Sequence, residues 1–130
     1  MSLVLVDTDI LIDFAGHIQD ASSALTDIER HFTLAISAIT ELELLVGCRN
    51  KTEVQNTDHL LERFQVIPLN EQISNIATSL IRKYRLSHGL LLADALIAAT
   101  ALDLSCEFIT KNQRDYRFIE SLNLLSYPLK

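Results

Sequence analysis

Val4-Leu5-Val6 is a short apolar run that ends abruptly at Asp7-Thr8-Asp9. A run of this length, rich in Val and Leu and without polar alternation, predicts a strand buried on both faces, as in a parallel sheet. Parallel neighbours need long crossover connections, usually helical, so the prediction extends to the rest of the chain. The two acids also matter for chemistry. The carboxyl end of a buried strand is where open α/β sheets place their active sites. Carboxylates there are hard-oxygen ligands of the kind Mg²⁺ or Mn²⁺ takes.

The same pattern repeats along the chain. Strands are predicted over residues 2–6, 34–36, 65–69 and 106–109, with a fifth over 123–126. Helices are predicted over 9–15, with Gly16 just past its end, over 19–31, and over 38–46, opened by Ser37 as N-cap and closed by Gly47. Thr52-Glu53-Val54-Gln55 fits a capping box opening a helix that reaches residue 63 or 64. Asn70 caps the clearest helix, in which Ile73, Ile76, Ala77, Leu80, Ile81 and Tyr84 keep helical spacing. A loop is expected over 86–91, then an Ala-rich helix over 94–104. Strands alternating with helices imply a parallel sheet covered by helices on both faces. A chain of 130 residues suits one domain, here 1–130. Only 3 Gly and 2 Pro are present, which favours helices and short connections over an all-β fold.

No stretch approaches the ~18 uninterrupted apolar residues of a membrane helix. The longest candidate, residues 90–102, is broken by Asp94, and no basic segment precedes the first apolar run as in a signal peptide. Cys48 and Cys106 lack metal-type spacing and read as small apolar residues in a reduced, cytoplasmic setting, with no membrane partner. The net charge of −6 argues against a nucleic-acid binder. Carboxylates gathered around a metal would weaken that argument, because the ion neutralises them. Eight of the 11 basic residues fall in groups, Arg49 with Lys51, Arg82 with Lys83 and Arg85, and Lys111 with Arg114 and Arg117. Each group could guide a polyanion or be no more than a solvated helix end.

Four acids could converge. Asp7 ends the first strand, Glu41 lies near the start of the helix after the second, Asp94 opens the helix before the fourth, and Asp115 follows the fourth. Parallel strands end at one edge, so residues just beyond different strands can meet there. Each acid has a plainer role available. Asp7 and Asp94 could be helix N-caps, Glu41 a partner of the helix dipole, and Asp115 an ordinary loop acid. The flanks of Asp94, Leu90 to Ala93 and Ala95 to Ala99, indicate burial, which is costly for an unpartnered carboxylate. Crowded carboxylates take up a proton unless a cation removes their repulsion. A divalent metal would do so, and would activate water for attack on phosphorus. The four His, at 17, 31, 59 and 88, show no ligand spacing and read as surface or structural residues.

Four segments carry a resemblance. Val6-Asp7-Thr8-Asp9-Ile10-Leu11-Ile12-Asp13 resembles the opening motif of PIN-domain nucleases, and residues 39–47, ITELELLVG, their second, with Glu41 in the ligand position. Residues 93–101, ADALIAATA, and 109–116, ITKNQRDY, resemble the third and fourth. Their order, spacing and total length are similar to the VapC toxins of bacterial type II toxin–antitoxin pairs. The resemblance implies an α/β/α sandwich with a central, mainly parallel sheet, and Mg²⁺- or Mn²⁺-dependent hydrolysis of tRNA or another structured RNA. It also implies a homodimer and a cognate antitoxin of the VapB kind. By motif position Asp7, Glu41 and Asp94 carry over as metal ligands and catalytic residues. Asp115 is taken as the fourth, with Asn112 the alternative and a supporting polar group. Thr8 and Thr110 are supporting hydroxyls, and Asp9, standing where Asn is frequent, is an outer ligand or a cap.

Other readings fit parts of the chain. Asp7-Thr8-Asp9 matches the Asp-x-Asp opening of haloacid dehalogenase-like phosphatases; Lys111 could supply their later Lys, but nothing supplies their further acidic pair. A phosphoacceptor receiver domain needs an Asp at the end of its third strand, where Leu69-Asn70 stands. A PIN fold that binds without cutting is the non-enzymatic alternative.

Overall fold

The computed structural model describes residues 2–129. In chain order the elements are β1 (Leu3–Val6), α1 (Thr8–Ala15), α2 (Gln19–Glu29), β2 (Thr33–Ser37), α3 (Ala38–Val46), α4 (Lys51–Leu61), β3 (Gln65–Ile67), α5 (Glu71–His88), α6 (Leu92–Leu104), β4 (Glu107–Ile109) and β5 (Asn123–Leu124). One turn of 3-10 helix, Gln113–Asp115, lies between β4 and β5. The strands form one sheet in the order β3-β2-β1-β4-β5, and every pairing is parallel. The expected mainly parallel sheet is therefore parallel throughout.

Alternation along the strands divides the core in two. Leu5, Ala35 and Phe108 point to one face and pack against α5 and α6 through Ile73, Ala77, Leu80, Ala95 and Ala98. Val4, Val6, Leu34, Ile36 and Ile109 point to the other, against Ile10, Leu11, Ala24, Leu25 and Leu61 of α1, α2 and α4. This is the expected three-layer α/β/α sandwich. Helix α3 straddles the layers, with Ile39 joining the first core and Leu44 the second.

Ser37 caps α3 by accepting the Ile39 N–H at 3.0 Å, and Asn70 caps α5 through the Ile73 N–H at 2.8 Å, both as expected. Several boundaries differ from the sequence reading: β3 and β5 end two residues early, at Ile67 and Leu124, α2 ends at Glu29, α1 starts at Thr8, and three further differences concern α4, α5 and α6. The capping box of α4 starts two residues earlier: Asn50 accepts the Glu53 N–H at 2.9 Å, and Glu53 reaches back to the Arg49 N–H at 2.8 Å. Helix α5 continues through the expected loop to His88 and stops only at Gly89, whose φ of +70° lies in the left-handed region. Helix α6 starts at Leu92, so Asp94 sits inside its first turn and is not its N-cap.

Candidate active site

The site forms at the carboxyl edge of β1 and β4. Val6 pairs with Ile109, and the ladder continues one step as the Asp7 N–H donates to the Ile109 carbonyl at 3.0 Å. Asp7 and Thr110 thereby emerge side by side, and the Thr110 hydroxyl donates to Asp7 Oδ2 at 2.7 Å. Oδ1 of Asp7 accepts the Thr8 N–H at 2.9 Å, which makes Asp7 the N-cap of α1 as well. Of the two roles read for Asp7 from sequence, the helix cap is present in the structure.

Asp9, in the first turn of α1, holds the loop after β4. Its carboxylate accepts the backbone N–H of Asn112 at 3.1 Å and of Lys111 at 3.3 Å, and stands 3.3 Å from the Thr110 hydroxyl. Asn112 thus takes part through its backbone, which also donates to Thr110 Oγ1 at 3.1 Å. The loop is clamped from behind by Gln113, whose amide donates to the carbonyls of Thr110 at 2.7 Å and Leu125 at 3.1 Å. Lys111 itself turns outward to Asp13 at 3.1 Å and neutralises none of the site acids by direct contact.

Helix α3 contributes Glu43. The Thr8 hydroxyl lies 2.7 Å from Glu43 Oε1 and 3.0 Å from the hydroxyl of buried Thr40. Its single proton goes to the carboxylate, the stronger acceptor, and Thr40 then donates to Thr8. Thr40 and Glu43 are three residues apart and share a helix face. Glu41, one residue after Thr40, lies on a different side. The structure thus brings Glu43 into the cluster in the place expected for Glu41.

Asp94 is supplied by α6 and faces Asp9, Glu43 and Asp115. Its Oδ1 accepts the hydroxyl of Tyr116 at 3.1 Å, a side chain buried beneath the site and stacked edge-on against Phe108. Asp115, at the end of the 3-10 turn, lines a cavity of about 310 Å³ together with Asp94. Glu43, Thr40 and Tyr116 are the residues sequence reasoning missed. An aromatic directly after a polar run, as in Asn112 to Tyr116, was the available signal for the last.

Burial and mutual repulsion act together on these groups. The Asp7 carboxyl is pushed up to about 7, first by burial and then by the charge of Asp9, with Asp94 adding a smaller push against the bonds from Thr110 and Thr8. Asp9 is raised by burial, opposed by the Lys111 and Asn112 amides. Asp94 is also raised, by burial first and, among the charges, by Asp115, Glu43 and Asp9. Burial and the acids beside it lift the Tyr116 phenol out of the range in which it ionises, so it stays a donor.

The donor set is all carboxylate and hydroxyl oxygen, which suits Mg²⁺ or Mn²⁺. Among the described residues no three acids are gathered closely enough to hold an ion unaided. An open arrangement fits Mg²⁺, which is usually held by one or two carboxylates with waters and phosphates completing the shell. Asp7 is buried beside two further acids, Asp9 and Asp94, whose charges disfavour its ionised form.

Comparison with known proteins places the site in a family. A PIN domain family model matches residues 4–120. The chain is 35% identical over 121 residues to Ribonuclease VapC10 of Mycobacterium tuberculosis, covering 92% of this chain and 90% of that protein. Among solved structures, a toxin–antitoxin complex from Klebsiella pneumoniae includes a chain 32% identical, with TM-score 0.79 and 98% of each chain covered. VapBC2 from Rickettsia felis, solved with a DNA fragment from its promoter, gives 25% identity and TM-score 0.80 over 94% of this chain and 96% of that one. The matched span runs from β1 past the 3-10 turn and so contains every acid of the cluster, and the chain belongs to the PIN-domain family, among its VapC-like members.

Proposed function

We propose that this chain is a divalent-metal-dependent endoribonuclease, the toxin of a type II toxin–antitoxin pair, which hydrolyses structured RNA such as tRNA. The observation that carries the reading is the convergence of Asp7, Asp9, Glu43, Asp94 and Asp115 at one sheet edge, with Asp7 buried and, among the described residues, no basic side chain bonded to it. The names of the relatives supply the direction: ribonuclease for the curated proteins, toxin–antitoxin complex for the structures. The phosphatase alternative falls with the family assignment.

Asp7 and Asp94 would hold the metal, with Glu43 and Asp115 at the rim. Mg²⁺ or Mn²⁺ there supplies positive charge against the scissile phosphate and makes water a better nucleophile near neutral pH. The chain's own residues keep the site in order. Thr110 and the Thr8 N–H fix both oxygens of Asp7. Tyr116 occupies one oxygen of Asp94. Thr8 aims Glu43 inward, and Asp9 ties down the loop that carries Asp115.

The antitoxin partner has a surface to fit. Ile12 of α1 and Leu42 and Val46 of α3 are 57%, 53% and 84% exposed, and a groove lined by Ile12, Ala15, Leu44, Gly47 and Cys48 together with Glu43, Glu53, Asn56 and Thr57 opens at Ile12. Apolar side chains left in water to this extent suit an amphipathic segment of a protein partner. The homodimer and the cytoplasmic setting belong to the same proposal; no helix among the described residues is long and apolar enough to cross a membrane.

The test is incubation of the purified chain, free of antitoxin, with total cellular RNA and Mg²⁺ or Mn²⁺, beside Asp7→Asn and an EDTA control. Discrete fragments made only by the wild type with metal support the reading, and their ends identify the substrate. Intact RNA in every lane, with folded protein, would favour a PIN fold that binds and does not cut.

A further inference from the structure

The cavity beside the acids has a second wall that the chemistry above leaves unused. Besides Asp94 and Asp115 it is lined by His88, Leu91, Arg114 and Phe118. The rings of His88 and Phe118 stack with centroids 4.3 Å apart and planes 15° from parallel. Tyr84 supports both edge-on, at 5.8 and 5.1 Å. His88 is exposed, so one face of its ring is covered by Phe118 while the side chain still meets solvent.

The platform is fixed. His88 Nδ1 is 2.7 Å from the Ser87 hydroxyl. Gly89 ends α5 directly after it, and the Arg85 guanidinium donates to the carbonyls of Gly89 at 3.1 Å and Leu90 at 3.2 Å. A flat π-stack, an apolar Leu91 left 57% exposed, a guanidinium and the acid cluster therefore border one cavity of about 310 Å³. That volume is at the small end of ligand sites. A planar aromatic body joined to an anionic group meets the first three features, and the acids as well where a bound cation offsets their charge; a nucleotide of an RNA strand is such a ligand.

We propose that His88 and Phe118 form a stacking subsite for an unpaired RNA base next to the phosphate to be cut, with Arg114 contacting the backbone. The proposal rests on the RNA-cutting reading and adds a selectivity to it. A base within a duplex cannot lie on an imidazole face, so the subsite selects single-stranded or looped nucleotides. His88, taken from sequence as a surface or structural residue, becomes a positioning residue for substrate.

The experiment measures binding separately from cleavage. Fluorescence anisotropy follows a short labelled single-stranded RNA and a hairpin duplex of matched composition, with Mg²⁺ in the cold, the strand's integrity being checked on a gel. His88→Ala is expected to weaken single-strand binding about tenfold and His88→Tyr, which keeps a ring, by no more than about twofold, with duplex binding unchanged in both. Arg114→Gln should flatten the slope of log affinity against log salt by about 0.7. The proposal is overturned if the wild type does not bind the single strand, if His88→Ala binds like wild type, or if it loses single strand and duplex alike. The total-RNA assay reports separately on the nuclease reading. His88-dependent binding without cleavage would sink that reading alone, and cleavage with unaltered binding by His88→Ala would sink this one alone.

Discussion

The Tyr116 hydroxyl has one proton and gives it to Asp94 from a buried position. Tyr116→Phe removes that bond and leaves the ring packed on Phe108. It is expected to keep the fold, to cost about 1 kcal/mol in a denaturant melt, and to slow RNA cleavage by freeing the Asp94 rotamer. Asp94→Asn should abolish cleavage with a native melt. On α3 the decisive comparison is Glu43→Gln against Glu41→Gln. Loss of cleavage in the first with near-normal rates in the second is expected, and the reverse would return the role to Glu41. The sequence could not separate the two because α3 is apolar nearly all round, with Leu42 and Val46 exposed, so periodicity sets no phase for the helix. Asp7, by contrast, was legible, since a carboxylate that stops a buried strand has only the sheet edge to occupy. Its raised carboxyl also gives a pH signature in the metal-free protein. The folded state holds the proton more tightly than the unfolded one, so the Asp7 contribution to stability is fully present below about 4 and is lost as pH rises towards 7. The loss is on the order of 4 kcal/mol, and Asp7→Asn should flatten it. A metal-free melting series showing no decline across that window would contradict this account.

Among the elements, those with local punctuation were the readable ones. Ser37 and Asn70 cap where their side chains reach the next free N–H, and such chemistry is written within four residues. Ser37→Ala should cost about 1 kcal/mol and displace Glu43 with the helix it opens. Helix α5 outran its expected end because Leu86, though fully exposed, is a good helix former and nothing before Gly89 interrupts the turn. Gly89→Ala, at φ +70°, should cost on the order of 1 kcal/mol through backbone strain alone, since open space surrounds the position. Helix α6 was placed too late because its N-cap is Leu91, which makes no side-chain capping bond. A helix start fixed by packing leaves no signature in neighbouring residues.

At the scale of the molecule, the alternating apolar runs were enough to foresee the layers, and the order β3-β2-β1-β4-β5 explains why the acids meet. β1 is central, β4 is its neighbour, and β2 on its other side leads into α3. Because the crowded carboxylates oppose folding without a cation, Mg²⁺ should raise the melting temperature. At about 100 times its dissociation constant the gain is about 2.7 kcal/mol, and Asp7→Asn should reduce it; an unchanged melt with Mg²⁺ or Mn²⁺ would argue against a metal at these acids.

The hydrogen bond from Thr110 to Asp7 spans 103 positions of the chain. A ribosome adding about 5–20 residues per second needs roughly 5–20 s between the two ends of that bond. During that interval Glu43 and then Asp94 join Asp7 on the growing polypeptide while the strand that closes the site is still unmade. For the RNA-cutting activity proposed above, the topology is a delay built into synthesis: the machine making the chain is nearly finished with it before the blade exists.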